Sequence, residues 1–186
     1  PTGDPGVKWS PGTLVLSGGE PLLRDDVFAL ARKASTSGLR VLMTSNGSLV
    51  DKEAALGIAA SGVSAVAVSL DGAKAGSHDG VRGRKGAFAV AVTGVKRLVE
   101  RGVPVRVLTR VTSRNVDEIH GISDLAHQLG ASAHYVFPVA ATPCRFRVEA
   151  SQQLRADELD RLGRAVAARS ARSSMSTVLI GARTGG

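Results

Sequence analysis

The stretch GAFAVAVTGVKRLVERG, Gly86 to Gly102, runs directly into VPVRVLTRVTS, Val103 to Ser113, and the pairing of these two patterns decides the fold. The first part carries apolar residues at helical spacing and closes on a glycine, the residue that most easily takes a left-handed C-cap. The second is a short run of Val and Leu that ends in polar residues. The same order recurs on both sides. DDVFALARKASTSG leads into LRVLMTSNG, with Val27, Phe28, Ala31 and Ala34 on one helical face and Gly38 at the C-cap. DKEAALGIAASG leads into VSAVAVSLDG, opened by Asp51 as N-cap and closed by Gly62. NVDEIHGISDLAHQLG leads into ASAHYVFPVA, where Asn115 and Glu118 are spaced as a capping pair and Gly130 ends the helix. A further helix is expected at about 156–171, followed by a strand at Ser176 to Ile180.

Strands of near-continuous Val, Leu and Ala are expected to be buried on both faces, and helices between them imply parallel pairing through right-handed crossovers. Two α/β architectures satisfy this pattern: an open doubly wound sheet and a barrel of (β/α) units. In both, ligands bind beyond the carboxyl ends of the strands. There the chain places SGGEP, TSNG, SLDG, TRVTSRN and FPVAATPC. Polar loops are ordinary after any one strand, but five such clusters at one rim point to a functional face.

Composition narrows the function. With 186 residues and 43% hydrophobic content the chain can bury a core of ordinary domain size. It has no apolar run of membrane-spanning length and no secretory leader pattern at its first residues, which by default assigns it to the cytoplasm. The net charge of +8 raises the question of nucleic acid, but the basic residues are scattered, with only VRGRKG (Val81 to Gly86) locally dense. Aromatic residues make up only 3%, too few for a base-stacking platform. A single cysteine, Cys144, excludes an internal disulfide framework and a cysteine-based metal site made by this chain alone. Arg145 and Arg147 are the only nearby groups that would lower its pKa, and an inert thiol is expected. His78, His120, His127 and His134 show no metal-site spacing; His120 and His127 fit one face of a solvated helix.

The rim motifs suggest specific chemistry. In SGGEP, Gly18 and Gly19 let a ligand approach the backbone, where a bare carbonyl accepts from an ammonium group, and Glu20 adds negative charge. Pro21 stiffens the exit and removes a donor. A phosphate loop would offer N–H groups and avoid a carboxylate, so this loop suits a cation, unless Glu20 merely points into solvent beside a tight turn. In SLDG, strand alternation predicts Ser69 and Asp71 on one side and Leu70 on the other, with both polar groups able to bond sugar hydroxyls. AKAGSHDGVRGRKGAF is expected to be a long loop, and Arg82 within it is either a bidentate carboxylate clamp or an exposed side chain. Asn46-Gly47 in TSNG is either a simple turn or part of a binding site.

Taken together, LVLSGGEPLLRDDVFALA, MTSNGSLV, AVSLDGA, HDGVRGRKGAF and VTSRNVDEI resemble the radical S-adenosylmethionine (SAM) superfamily, in the branch of peptide maturases and modified-haem synthesis. The resemblance runs from about Thr13 to Phe146 and more weakly to Ile180. It implies a partial (β/α)6 TIM-like barrel, here without its first β/α unit, that binds SAM and a [4Fe-4S] cluster. Such an enzyme cleaves SAM reductively to a 5′-deoxyadenosyl radical and modifies a peptide or tetrapyrrole-like substrate, with a flavodoxin or ferredoxin as electron donor. By resemblance, Gly18, Gly19 and Glu20 receive the SAM amino group, Ser69 lies near the ribose and Arg82 approaches the carboxylate. Asn46 and Asp71 belong to the same rim, and Val136 in AHYVFPV lies near the adenine.

The pattern departs from the family in one respect. The CxxxCxxC loop that holds the cluster is absent, and only twelve residues precede Thr13. The expected division is therefore a loop segment at 1–12, an incomplete core at 13–150, and a helix and strand at 151–186 that continue the barrel. Two readings follow: part of a longer enzyme whose cluster ligands lie upstream, or a clusterless relative that binds SAM or a peptide as an adaptor. The start inside a PTGDPG loop points to the first reading, and an unpaired strand flank would then promote self-association. An unrelated phosphate-binding barrel is the third reading, and Glu20 argues against it.

Overall fold

The structure, a computed structural model, describes residues 12–139, 152–170 and 175–180. Its helices and strands are β1 (Thr13–Leu16), α1 (Val27–Thr36), β2 (Arg40–Ser45), α2 (Lys52–Ala60), β3 (Val63–Ser69), α3 (Ala75–Arg82), α4 (Ala87–Glu100), β4 (Val105–Val111), α5 (Ile119–Gln128), β5 (Ala133–Pro138), α6 (Ala156–Ser170) and β6 (Ser176–Leu179). A helix follows each of the first five strands, as the sequence pattern requires, and an additional helix, α3, lies between β3 and α4. The strands form one parallel sheet in the order β1-β2-β3-β4-β5-β6. That order never reverses, so the sheet has no switch point of the doubly wound kind. Successive right-handed crossovers in one direction place every helix on the same side, as in a (β/α) barrel.

Strand parity confirms this arrangement. Val41, Met43, Val66, Val68 and Val105 pack with Val27, Ala31, Ala55, Ile58, Val95 and Leu98 of the helices. Leu70, Val107, Val111 and Val136 pack with Ile119, Ile122, Ala126, Leu162 and Val166. The alternate positions, among them Leu42, Thr44, Ala67, Ser69, Arg106, Leu108, Arg110, Tyr135 and Phe137, occupy the opposite face and are half-buried. β4 therefore alternates strictly between buried and half-buried positions. This corrects the expectation of burial on both faces: one face is a helix-packed core and the other is open.

Local signals hold where they were strongest. The Asp51 carboxylate accepts from Ala54 N at 2.7 Å as the N-cap of α2. The expected capping pair does not form, because Asn115 and Glu118 are engaged elsewhere, as described below. AKAGSHDGVRGRKGAF is not one long loop; it folds into α3, a short turn and the start of α4. Asp79 in the middle of α3 accepts from Gly86 N at 2.6 Å and Phe88 N at 2.8 Å, so a carboxylate of one helix caps the N-terminus of the next. Those two bonds hold the Asp79 carboxyl below its usual pKa. His120 and His127 lie exposed on α5.

Gly47 fixes how the sheet meets α4. It holds φ +80°, and an added Cβ would sit 2.9 Å from Ala91 Cα. Gly94 on the same helix approaches equally closely, with its own Cβ position 2.9 Å from Gly47 O. Gly47→Ala is thus expected to lower stability by about 2 kcal/mol, from left-handed strain and a backbone clash together. A urea denaturation midpoint unchanged from the parent would show that this packing is looser than described.

Candidate functional site

The carboxyl ends of β1, β2, β3 and β4 meet at one rim. After β1, Gly18 takes φ +140° and an added Cβ on Gly18 or Gly19 would meet nothing within 4 Å, so the backbone there borders open space. Glu20 does not point into solvent. It is buried, its Oε2 accepts from Asn46 N at 2.8 Å and Ser45 Oγ at 3.1 Å, and its Oε1 accepts from Leu22 N at 3.4 Å. The carboxylate therefore braces the β1 loop against the end of β2 while leaving its negative charge behind the two glycines.

Asn46 and Gly47 form a turn with a function in the rim. Asn46 Oδ1 accepts from Ser48 N at 2.8 Å, and Ser45 Oγ accepts from Gly47 N at 2.9 Å. The Asn46 amide nitrogen remains available, and the residue lines a cavity of about 230 Å³ together with Ser48, His78, Arg82, Arg84, Ala87 and Val90. That lining is basic, with two arginines and a histidine and no carboxylate.

Asp71 ties four elements of the rim together. Its Oδ1 accepts from Arg110 N at 2.7 Å, its N–H donates to His78 Nδ1 at 3.0 Å, and its carbonyl accepts from Asn115 Nδ2 at 2.8 Å. Oδ2 lies 2.7 Å from Arg82 Nε, with the Asp71 side chain fully buried and that of Arg82 29% exposed. This contact is an ion pair without an aligned N–H, since Oδ2 receives no hydrogen bond. The expectation that Ser69 and Asp71 present themselves side by side to a sugar is therefore corrected. β3 ends at Ser69, strand alternation ends with it, and the Asp71 carboxylate turns inward toward β4. Ser69 alone stays half-buried on the open face, in register with Leu108.

Asn115 and Glu118 complete this framework, and their roles could not be read from capping spacing. Asn115 Nδ2 also donates to Arg110 O at 3.0 Å, and its Oδ1 accepts from Thr112 N at 2.8 Å. Glu118 reaches across to the start of α3, accepting from Ala73 N at 2.8 Å and Ser77 Oγ at 2.7 Å. His78 is buried beside Asp71, and burial first, with Arg82 adding to it, pushes its pKa below the usual range. It stays neutral, so the Nδ1 lone pair can accept from Asp71 N.

The assignment of Val136 to a ligand is also corrected. Its side chain is fully buried among Val107, Val111, Ile119 and Ile122. Tyr135 and Phe137 alternate onto the open face instead. Next to Val136, His134 bridges β4 and α5: Thr109 Oγ1 donates to Leu70 O at 2.7 Å, so it accepts from His134 Nε2, and Ser123 Oγ donates to Nδ1 at 2.7 Å.

The donor set fits SAM: open backbone at Gly18 and Gly19, the Asn46 amide and the Ser69 hydroxyl lie at or just beyond the ends of β1, β2 and β3, and the Arg82 guanidinium at the end of α3 joins them through Asp71. It does not fit an iron–sulfur cluster. Among the described residues no group of three His, Cys, Asp or Glu could hold a metal ion. Cys144, with Arg145 and Arg147, lies outside the described residues. No described helix is long and apolar enough to cross a membrane.

Comparison with known proteins agrees with this geometry. The Radical SAM superfamily profile matches residues 6–126. The AdoMet-dependent heme synthase of Methanosarcina barkeri is 43% identical over 129 residues, 69% of this chain and 37% of that protein. The mycofactocin maturase of Mycolicibacterium smegmatis is 36% identical over 118 residues, 63% of this chain and 30% of that protein. The chain thus spans about a third of the length of these curated relatives. Streptococcus suis SuiB bound to S-adenosylmethionine superposes with a TM-score of 0.72 at 18% identity, over 91% of this chain and 39% of SuiB, which supports the partial TIM-like barrel. The chain belongs to the radical SAM superfamily, whose named relatives are enzymes.

Proposed function

We propose that this chain is the SAM-binding core of a radical SAM enzyme that modifies a tetrapyrrole, with its cluster cysteines and electron donor, of flavodoxin or ferredoxin type, supplied from outside the chain. Bound SAM, given one electron from outside this chain, would supply radical hydrogen-atom abstraction. The residues here bind and orient it. The carbonyls of Gly18 and Gly19 accept from the amino group, with the Glu20 charge behind them. Ser69 would face the ribose, Asn46 would border the carboxylate, and Arg82 would bind that carboxylate while Asp71 holds its Nε.

The observation that carries this reading is the Asp71–Arg82 pair at the rim. It fixes the Arg82 guanidinium by its Nε side at the wall of a cavity that also carries Arg84 and whose own lining contributes no carboxylate. The haem-synthesis names of several relatives favour a tetrapyrrole over the peptide substrate of the maturases.

Arg82→Lys keeps a cation for Asp71 but loses the planar fork. In the full-length protein it is expected to weaken SAM binding about tenfold by calorimetric titration, with little change in the affinity of decarboxylated SAM. Equal losses for both ligands would remove Arg82 from the carboxylate. No SAM binding by the parent protein would overturn the reading as a whole.

A further inference from the structure

The open face of the sheet carries a feature that SAM does not account for. Arg106 and Arg110 sit four residues apart on that face of β4, about 13 Å along the strand. Leu108 lies between them, and Tyr135 and Phe137 flank them on β5. No strand residue of this face is acidic. Arg106 is held over the Tyr135 ring, 5.6 Å from its centroid. Arg110 is half-buried, and its Nε is withdrawn from solvent without any hydrogen-bond partner. A guanidinium nitrogen withdrawn from water and left without an acceptor is uncommon unless a ligand supplies one to the group.

We infer that Arg106 and Arg110 are specificity residues that recognise the carboxylates of an apolar substrate lying on Leu108, Tyr135 and Phe137. This deepens the proposed function and rests on it. Charge complementarity selects an anion, and two cations separated by an apolar floor select one with carboxylates at more than one edge of an apolar ring system. A peptide adding as an extra strand is disfavoured, because β4 and β5 are each paired on both sides and offer no free backbone edge here.

The test is fluorescence titration of the full-length protein with free-base coproporphyrin III and with its tetra-amide, a ring of the same size without charge. Arg110→Gln and Arg106→Gln are each expected to raise the coproporphyrin Kd about tenfold, as for the loss of one charge-assisted contact. Arg110→Lys should recover part of that loss, and SAM affinity should not change. Porphyrin binding that is equal in parent and double variant, or equally tight for the tetra-amide, would overturn the inference. So would a parallel loss of SAM affinity, which would assign the arginines to the cofactor. Arginine-dependent binding of an acidic peptide with no porphyrin binding would also overturn it, in favour of a peptide substrate. Because the porphyrin titration needs neither SAM nor a cluster, its failure is distinct from failure of the SAM-binding reading.

Discussion

Asp71→Ala is expected to lower the stability of the protein by about 4 kcal/mol in urea denaturation. Truncating one member of a buried ion pair leaves the other charge uncompensated, which costs about 3 to 5 kcal/mol for full burial. The Arg82 side chain is 29% exposed and recovers some hydration, which places the cost at the lower end. The truncation also leaves Arg110 N without its acceptor, which adds about 1 kcal/mol. Asp71→Asn retains an oxygen for Arg110 N and loses only the charge, so it should fall between parent and alanine variant. A loss below about 1 kcal/mol for Asp71→Ala would mean that Arg82 swings into solvent unaided, and the ion pair would not position it.

Acid is expected to destabilise the protein through His134. Burial, with the nearby Arg169 charge adding to it, pushes the His134 pKa down to about 4. In the unfolded chain the same group titrates near 6.5. Between these values the unfolded state binds a proton that the folded state refuses. The contribution of the neutral imidazole is therefore complete above pH 6.5 and is lost as the pH falls toward 4, by about 1.4 kcal/mol per unit and about 3 kcal/mol in all. His78, also shifted down by burial, acts in the same direction, so the comparison must isolate one residue. Unfolding free energy measured from pH 7.5 to 4.5 should fall less steeply in His134→Gln than in the parent. Parallel curves would show that His134 takes up its proton in the folded state without penalty.

Much of the fold was legible because it rests on local chemistry. Gly38, Gly62, Gly102 and Gly130 all take positive φ after their helices, and Asp51 caps α2 where its spacing placed it. The rim was legible as a set of strand ends. The corrections share one cause, which is that they depend on partners distant in sequence. α3 contains Gly76 and Gly80 and has weak helix propensity of its own; His78, Asp79 and Glu118 hold it through tertiary bonds. Val136 and Phe137 are both apolar in sequence, and only register decides which faces the helices. Arg106 and Arg110 did leave a signal: in VRVLTRV the even positions carry both charges, a period of two that marks a strand with one open face.

The bonds around Asp71 span very different stretches of chain: 7 residues to His78, 39 to Arg110 and 44 to Asn115. The two long ones close only after β3 and β4 have paired, when the entropy of joining distant segments has already been lost. The rim is thus expected to assemble late, after the β3–β4 pairing that brings its partners together. A ligand that bridges the β1, β2 and β3 loops would act where the folded chain is least cooperative, and its binding energy would appear as rigidity of the rim before it appeared as chemistry.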